Sequence, residues 1–152
     1  MSAYLWLKLV HIVAAIVAVG TNVTYFVWLA RARTRRSQHD LYVLEGIKTL
    51  DSRLANPGYV LLPLTGIGMV LVGDLSFSTF WIATAIVLYV FLGVFGGVLF
   101  APALRRQTEA LRVGGSASDD YAEAARRTMV LGGVTMVPVL AILYLMVMKP
   151  TP

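Results

Sequence analysis

The chain contains two histidines, and His11 is the one set within a long apolar run. An ionisable group inside a membrane-length apolar segment is costly to bury and marks a functional site by default. Ala15, Ala18 and Asn22 continue its helical face at offsets of four, seven and eleven residues. Small residues below a histidine let a flat group or another helix approach closely. Lys8, one turn earlier, is read on the same face, where its ammonium could snorkel to the interface or meet a carboxylate. An imidazole with a thioether opposite is a known axial pair for a haem iron, and Met69 is the thioether expected nearest in depth. Bis-imidazole ligation within one chain is excluded, because no second apolar run contains a histidine. His39 falls in a polar stretch and reads as a solvated loop residue. The bland alternative for His11 is a hydrogen-bonded structural histidine. A third reading takes Met129, Met136, Met146 and Met148 as a thioether route for Cu(I).

The elements that must position these groups follow from composition. Of 152 residues, 58% are hydrophobic and 14% charged, and mean hydropathy is +0.74. Soluble domains carry about 25% charged residues, so the solvent of this chain is lipid. A membrane helix needs about 20 predominantly apolar residues, and four stretches qualify: Tyr4–Ala30, Pro57–Gly73, Thr79–Ala103 and Thr128–Met148. Their continuous apolar character lacks the alternation of a barrel strand, and in lipid each backbone must satisfy its own hydrogen bonds, so they are helices. The first span has no basic segment ahead of it and is too long for a signal-peptide core, so it reads as retained.

The net charge of +5 is local. Arg31, Arg33, Arg35, Arg36, Lys48 and Arg53 lie between spans one and two, and Arg105, Arg106, Arg112, Arg126 and Arg127 between spans three and four. The short connection between spans two and three has neither Lys nor Arg. The positive-inside rule therefore makes the loops 31–56 and 104–127 cytoplasmic and puts both termini outside. A functional reading would make the Arg31–Arg36 cluster a site for anionic lipid or nucleic acid; topology accounts for it without either. Leu41, Leu44, Ile47 and Leu54 recur at near-helical spacing, suggesting a short amphipathic helix lying at the membrane surface. Gly114-Gly115-Ser116 is a break, and Ser118-Asp119-Asp120 starts a helix that continues into span four.

With a rise of about 1.5 Å per residue, His11 lies roughly 10 Å below the outer boundary. Met69, Thr84 and Tyr144 are expected near its level, which gathers the candidate chemistry in the outer half. The inner half collects Gly20, Thr21, Asn22, Gly66, Gly93, Gly97, Gly132 and Gly133, with Gly93 and Gly97 forming a G-x-x-x-G. These read as close helix packing, with Asn22 as interhelical glue. Cysteine is absent, which removes disulfides, thiolate metal sites and Cys nucleophiles. No span contains Asp or Glu, and no phosphate loop or H-E-x-x-H occurs.

Tyr4-Leu5-Trp6-Leu7-Lys8 followed by His11-Ile12 resembles the first helix of the HemJ family of membrane protoporphyrinogen oxidases and of the broader superfamily containing the CopD copper-resistance proteins. The Arg-rich loop before Pro57 and the closing run from Pro138 to Lys149-Pro150 are similar too. The resemblance implies haem ligation by His11 with Lys8 beside it. Span three here lacks the ionisable residues of HemJ proteins, and Thr135-Met136 stand where an Asn-Glu pair precedes the proline. Removing protons from a porphyrinogen needs groups to accept them, so HemJ activity itself is not expected. The chain resembles more closely a divergent bacterial family of small integral membrane proteins related to both.

The expectation is an all-α, four-helix up-down bundle forming one multi-pass domain in the bacterial cytoplasmic membrane. b-type haem would sit in its outer half, with His11 as axial ligand, Met69 as second ligand and Lys8 facing a propionate. The role would be electron transfer or haem handling with a membrane or redox partner. The alternatives are a cofactor-free accessory subunit, a second copy of the chain being one partner, and a copper or small-molecule permease.

Overall fold

The computed structural model describes residues 2–35 and 40–151; Arg36 and His39 fall outside them. Among the described residues the regular structure is entirely helical. Helices α1 (Ala3–Arg35), α2 (Asp40–Leu50), α3 (Asn56–Val72), α4 (Phe80–Phe95), α5 (Ala101–Gly114) and α6 (Asp119–Met148) follow one another. Four helical stretches are long and apolar enough to cross a membrane: Ala3–Arg31, Leu41–Val72, Phe80–Gly114 and Asp119–Met148. Both termini lie at one end of the bundle, called the terminal end below; the arginine-rich connections lie at the other, the basic end.

The second and third stretches each join two helices through a π-helical turn, Asp51–Ala55 and Gly96–Phe100. Each turn ends two residues before a proline, Pro57 and Pro102. Proline offers no N–H to the carbonyl four residues back and its ring crowds that carbonyl. Widening the preceding turn is one way a helix accommodates it without stopping. The flanking residues Leu50, Asn56, Phe95, Gly96, Phe100 and Ala101 all keep right-handed helical dihedrals, so the chain runs on through both turns.

This corrects the expected surface helix. The segment from Asp40 continues through the π turn into α3, and it turns Leu44 and Ile47 into protein, 2% and 3% exposed. The added residue of the π turn shifts the helical phase, so Leu54 faces outward and Ala55 takes the buried position. The connection 104–127 is likewise mostly helix, broken at Gly115, whose φ of 72° suits glycine. Ser118 then caps α6 as expected, its hydroxyl accepting the Tyr121 N–H at 3.2 Å.

Thirty residues of α6 span about 45 Å, against a hydrocarbon core of about 30 Å. The excess belongs to the basic end, where Tyr25, Leu29, Leu44, Ile47, Leu111, Tyr121 and Ala125 form a buried core. Toward the terminal end the helices pack in the order α3–α1–α6–α4, with α1–α3 the most extensive contact. Among the described residues α3 and α4 have no pair of Cα atoms within 8 Å, so the bundle is open along that side.

Candidate functional site

The α1–α3 seam is antiparallel and built from small residues. A Cβ on Gly58 would stand 3.5 Å from the Ala14 carbonyl oxygen, and one on Gly68 3.2 Å from Leu7. At Gly73 it would meet the Tyr4 ring at 2.7 Å, so no side chain is admitted there without a shift. This close approach is the packing expected where lipid supplies no hydrophobic drive between helices.

His11 sits in the middle of this seam, half-buried, over Gly66: a Cβ there would lie 3.4 Å from its Cε1. Gly66 is therefore the partner of His11, not of Asn22. His11 Nδ1 is 2.9 Å from Oγ1 of Thr65, a residue 6% exposed. That hydroxyl also lies 2.6 Å from the Leu61 carbonyl oxygen and 3.2 Å from that of Leu62. It has one hydrogen to give, and the short contact to Leu61 claims it. With that hydrogen on Leu61, Thr65 Oγ1 is able to accept from His11 Nδ1–H. In that tautomer the lone pair is on Nε2, across the ring. This is the arrangement in which a histidine serves as a ligand, its other nitrogen held by a hydrogen bond.

The remaining candidates are placed less favourably. Met69 is partly buried on α3, one turn beyond Thr65. It shares α3 with Thr65 and Gly66, the residues that touch the His11 ring. The closeness of α1 and α3 at Gly66 also leaves no space for a macrocycle between them. Lys8 is exposed, while Tyr4, Leu7 and His11 are more enclosed. Ala14 and Ala18 are buried at 5% and 2%, with Ala15 less so. Tyr144 is 57% exposed, and Thr84 donates to the Phe80 carbonyl within its own helix at 2.7 Å. Gly93 and Gly97 have open space where a Cβ would be, so no close approach among the described residues requires glycine there. The thioethers Met129, Met136 and Met146 are partly buried and Met148 is exposed. Among the described residues, no group of three or more His, Cys, Asp or Glu side chains could hold a metal ion.

Three features escaped the sequence. Thr65 is the first, legible only once α1 and α3 are paired. The second is a polar bridge nearer the basic end. Asn22 Nδ2 donates to Tyr59 Oη at 2.7 Å and to the Ala18 carbonyl at 3.1 Å, the expected glue. The Tyr59 carbonyl accepts from Tyr89 Oη, a bond that crosses the open α3–α4 side. Pro63 explains it: lying four residues after Tyr59, it has no N–H for that carbonyl. The third is Lys149, whose left-handed backbone closes α6 and whose Nζ lies 5.4 Å from the Trp81 ring centroid. A second ammonium thus sits at the terminal end, beside the start of α4.

Comparison with known proteins bears on family rather than chemistry. Neither the curated proteins nor the solved structures give a match. The family model described as "Predicted integral membrane protein (DUF2269)" matches residues 5–150. With that match over nearly its whole length and four membrane-length helices, the chain belongs to the DUF2269 family of integral membrane proteins.

Proposed function

We propose that the protein binds b-type haem through a single imidazole, His11, and handles or senses haem rather than passing electrons through a six-coordinate iron. The observation that carries this reading is the 2.9 Å contact between Thr65 Oγ1 and His11 Nδ1: a hydroxyl that accepts there leaves Nε2 as the lone-pair nitrogen. Across the α3–α4 side, α4 contains neither Met nor His. His11 would hold a bound haem as the one ligand assigned. The open α3–α4 side gives a route of entry from lipid, bounded toward the basic end by the Tyr89–Tyr59 bridge. Lys8 and Lys149 supply ammonium groups for propionates at the terminal end. The resemblance of the first helix to HemJ and CopD proteins supports the same assignment. The arginine distribution supports a cytoplasmic basic end, with both termini outside the bacterial inner membrane.

The test is the absorption spectrum of protein purified in detergent from cells supplied with a haem precursor. Near-stoichiometric haem with a high-spin spectrum is expected, shifting to low spin when free imidazole is added. His11→Ala should lose the Soret band. A colourless wild-type protein, or a band unchanged in His11→Ala, overturns the reading.

One observation favours a cofactor-free accessory subunit instead: His11 already makes a satisfied interhelical bond on a seam closed by glycines. On that reading His11→Ala loosens α1 from α3 and no cofactor co-purifies.

A further inference from the structure

An open groove of about 690 Å³ runs along α6 from Tyr121 to Leu131, at the level where the polar start of that helix gives way to its apolar run. Ala122 and Ala125 contribute short side chains to its lining. Arg126 and Arg127 line it, both exposed, and among the described residues neither guanidinium has a hydrogen-bond or ion-pair partner. Glu123 is the one opposing charge on the wall, leaving the groove net positive. Val130 and Leu131 close its apolar end.

The stripe does not stop there. Val130, Val134, Val137 and Leu140 follow one another at helical spacing and are 59%, 45%, 70% and 61% exposed. Ten residues of helix cover about 15 Å, the depth of one leaflet's hydrocarbon. A forked cationic pair above an apolar stripe of that length matches one class of molecule in both charge and dimension. We propose that this groove is a binding site for an anionic phospholipid, its phosphodiester held by Arg126 and Arg127 and one acyl chain laid along Val130 to Leu140. Guanidinium suits this role because it pairs with phosphate oxygens through two parallel N–H donors, and basic pockets at the membrane interface are where such headgroups bind.

Native mass spectrometry of the detergent-solubilised full chain tests the assignment. Phosphatidylglycerol added at equal concentration to phosphatidylcholine should give several-fold more retained adduct. The Arg126→Gln/Arg127→Gln protein should fall to the phosphatidylcholine level, whereas Arg105→Gln/Arg106→Gln, with the same charge change on α5, should not. Glu123→Gln should raise phosphatidylglycerol retention, and this variant carries the test if the double variant does not fold. Equal retention of the two lipids, an equal loss in the α5 control, or no gain in Glu123→Gln overturns the proposal. So does displacement by inorganic phosphate at the same concentration as the lipid, which would assign the groove to a soluble anion.

Discussion

The two ends of the bundle are held together by different physics. At the basic end, where the helices outrun the hydrocarbon, large side chains such as Tyr25, Leu44 and Tyr121 are sealed from solvent. Water expels them, and burial itself stabilises the contact. Across the α1–α3 seam nearer the termini the contacts are Ala14, Ala18, Gly58, Gly66 and Gly68, with a histidine–threonine bond among them. Lipid is as apolar as the side chains, so close backbone approach and hydrogen bonds must do what burial does at the other end. A four-helix membrane protein of this kind is thus clamped at one end and only lightly latched at the other, and its candidate chemistry sits at the latch.

The largest effect that would sharpen this contrast is expected from the clamp. Leu44→Ala should lower stability by about 2–5 kcal/mol, the usual cost of truncating a sealed leucine, read as a fall in Tm in detergent. Ile16→Ala, at a site 66% exposed on the apolar surface, should leave Tm close to wild type. Equal losses at the two sites would break the comparison. Next comes Thr65→Val, which keeps the shape of the seam but removes the acceptor for His11 Nδ1–H. Haem affinity should fall by about 10–100-fold, as for other partners that orient a metal-bound histidine, measured by haem transfer to an acceptor protein. Unchanged affinity would remove Thr65 from the site.

Ser118→Ala should cost about 1 kcal/mol by uncapping α6, and Tm should register it, because the first turn of α6 belongs to the clamp. Asn22→Leu should cost about 0.6 kcal/mol, the average for a hydrogen bond between membrane helices, read by unfolding in mixed micelles. A loss as large as that of Leu44→Ala would show that the seam relies on polar contacts far more than its small residues imply. The smallest effect is expected from Gly93→Leu, which has open space around it. Tm of the isolated chain should not move, and a change in oligomeric state at constant Tm would place the G-x-x-x-G stripe between chains.

Much of this architecture could be read from the sequence. Four apolar runs specified four helices, and Ser118-Asp119-Asp120 marked a helix start that the structure reproduces. His11 stood out because a lone imidazole in an apolar run is conspicuous. Its partner did not, since any of several spans could have faced it, and the pairing of α1 with α3 is a tertiary fact. Depth along a helix says nothing of azimuth: Tyr144, read at the level of His11, is 57% exposed. Tyr59 carries a usable signal in the sequence. A proline four residues after Tyr59 announces an unpaired carbonyl, and in lipid such a carbonyl requires a donor.

The π turns before Pro57 and Pro102 matter to what the chain can lose, not only to how it is drawn. Each residue advances a helix by about 100°, so deleting one residue from Asp51–Ala55 would rotate all of α2 against α3 by more than a quarter of a revolution. Leu44 and Ile47 would swing out of the clamp together, although neither had been altered. Replacing that same residue changes a single side chain. In these two five-residue windows, a frame-preserving codon loss and a missense change at one position should therefore differ in kind, and a tolerant substitution profile there would conceal a strict requirement on length.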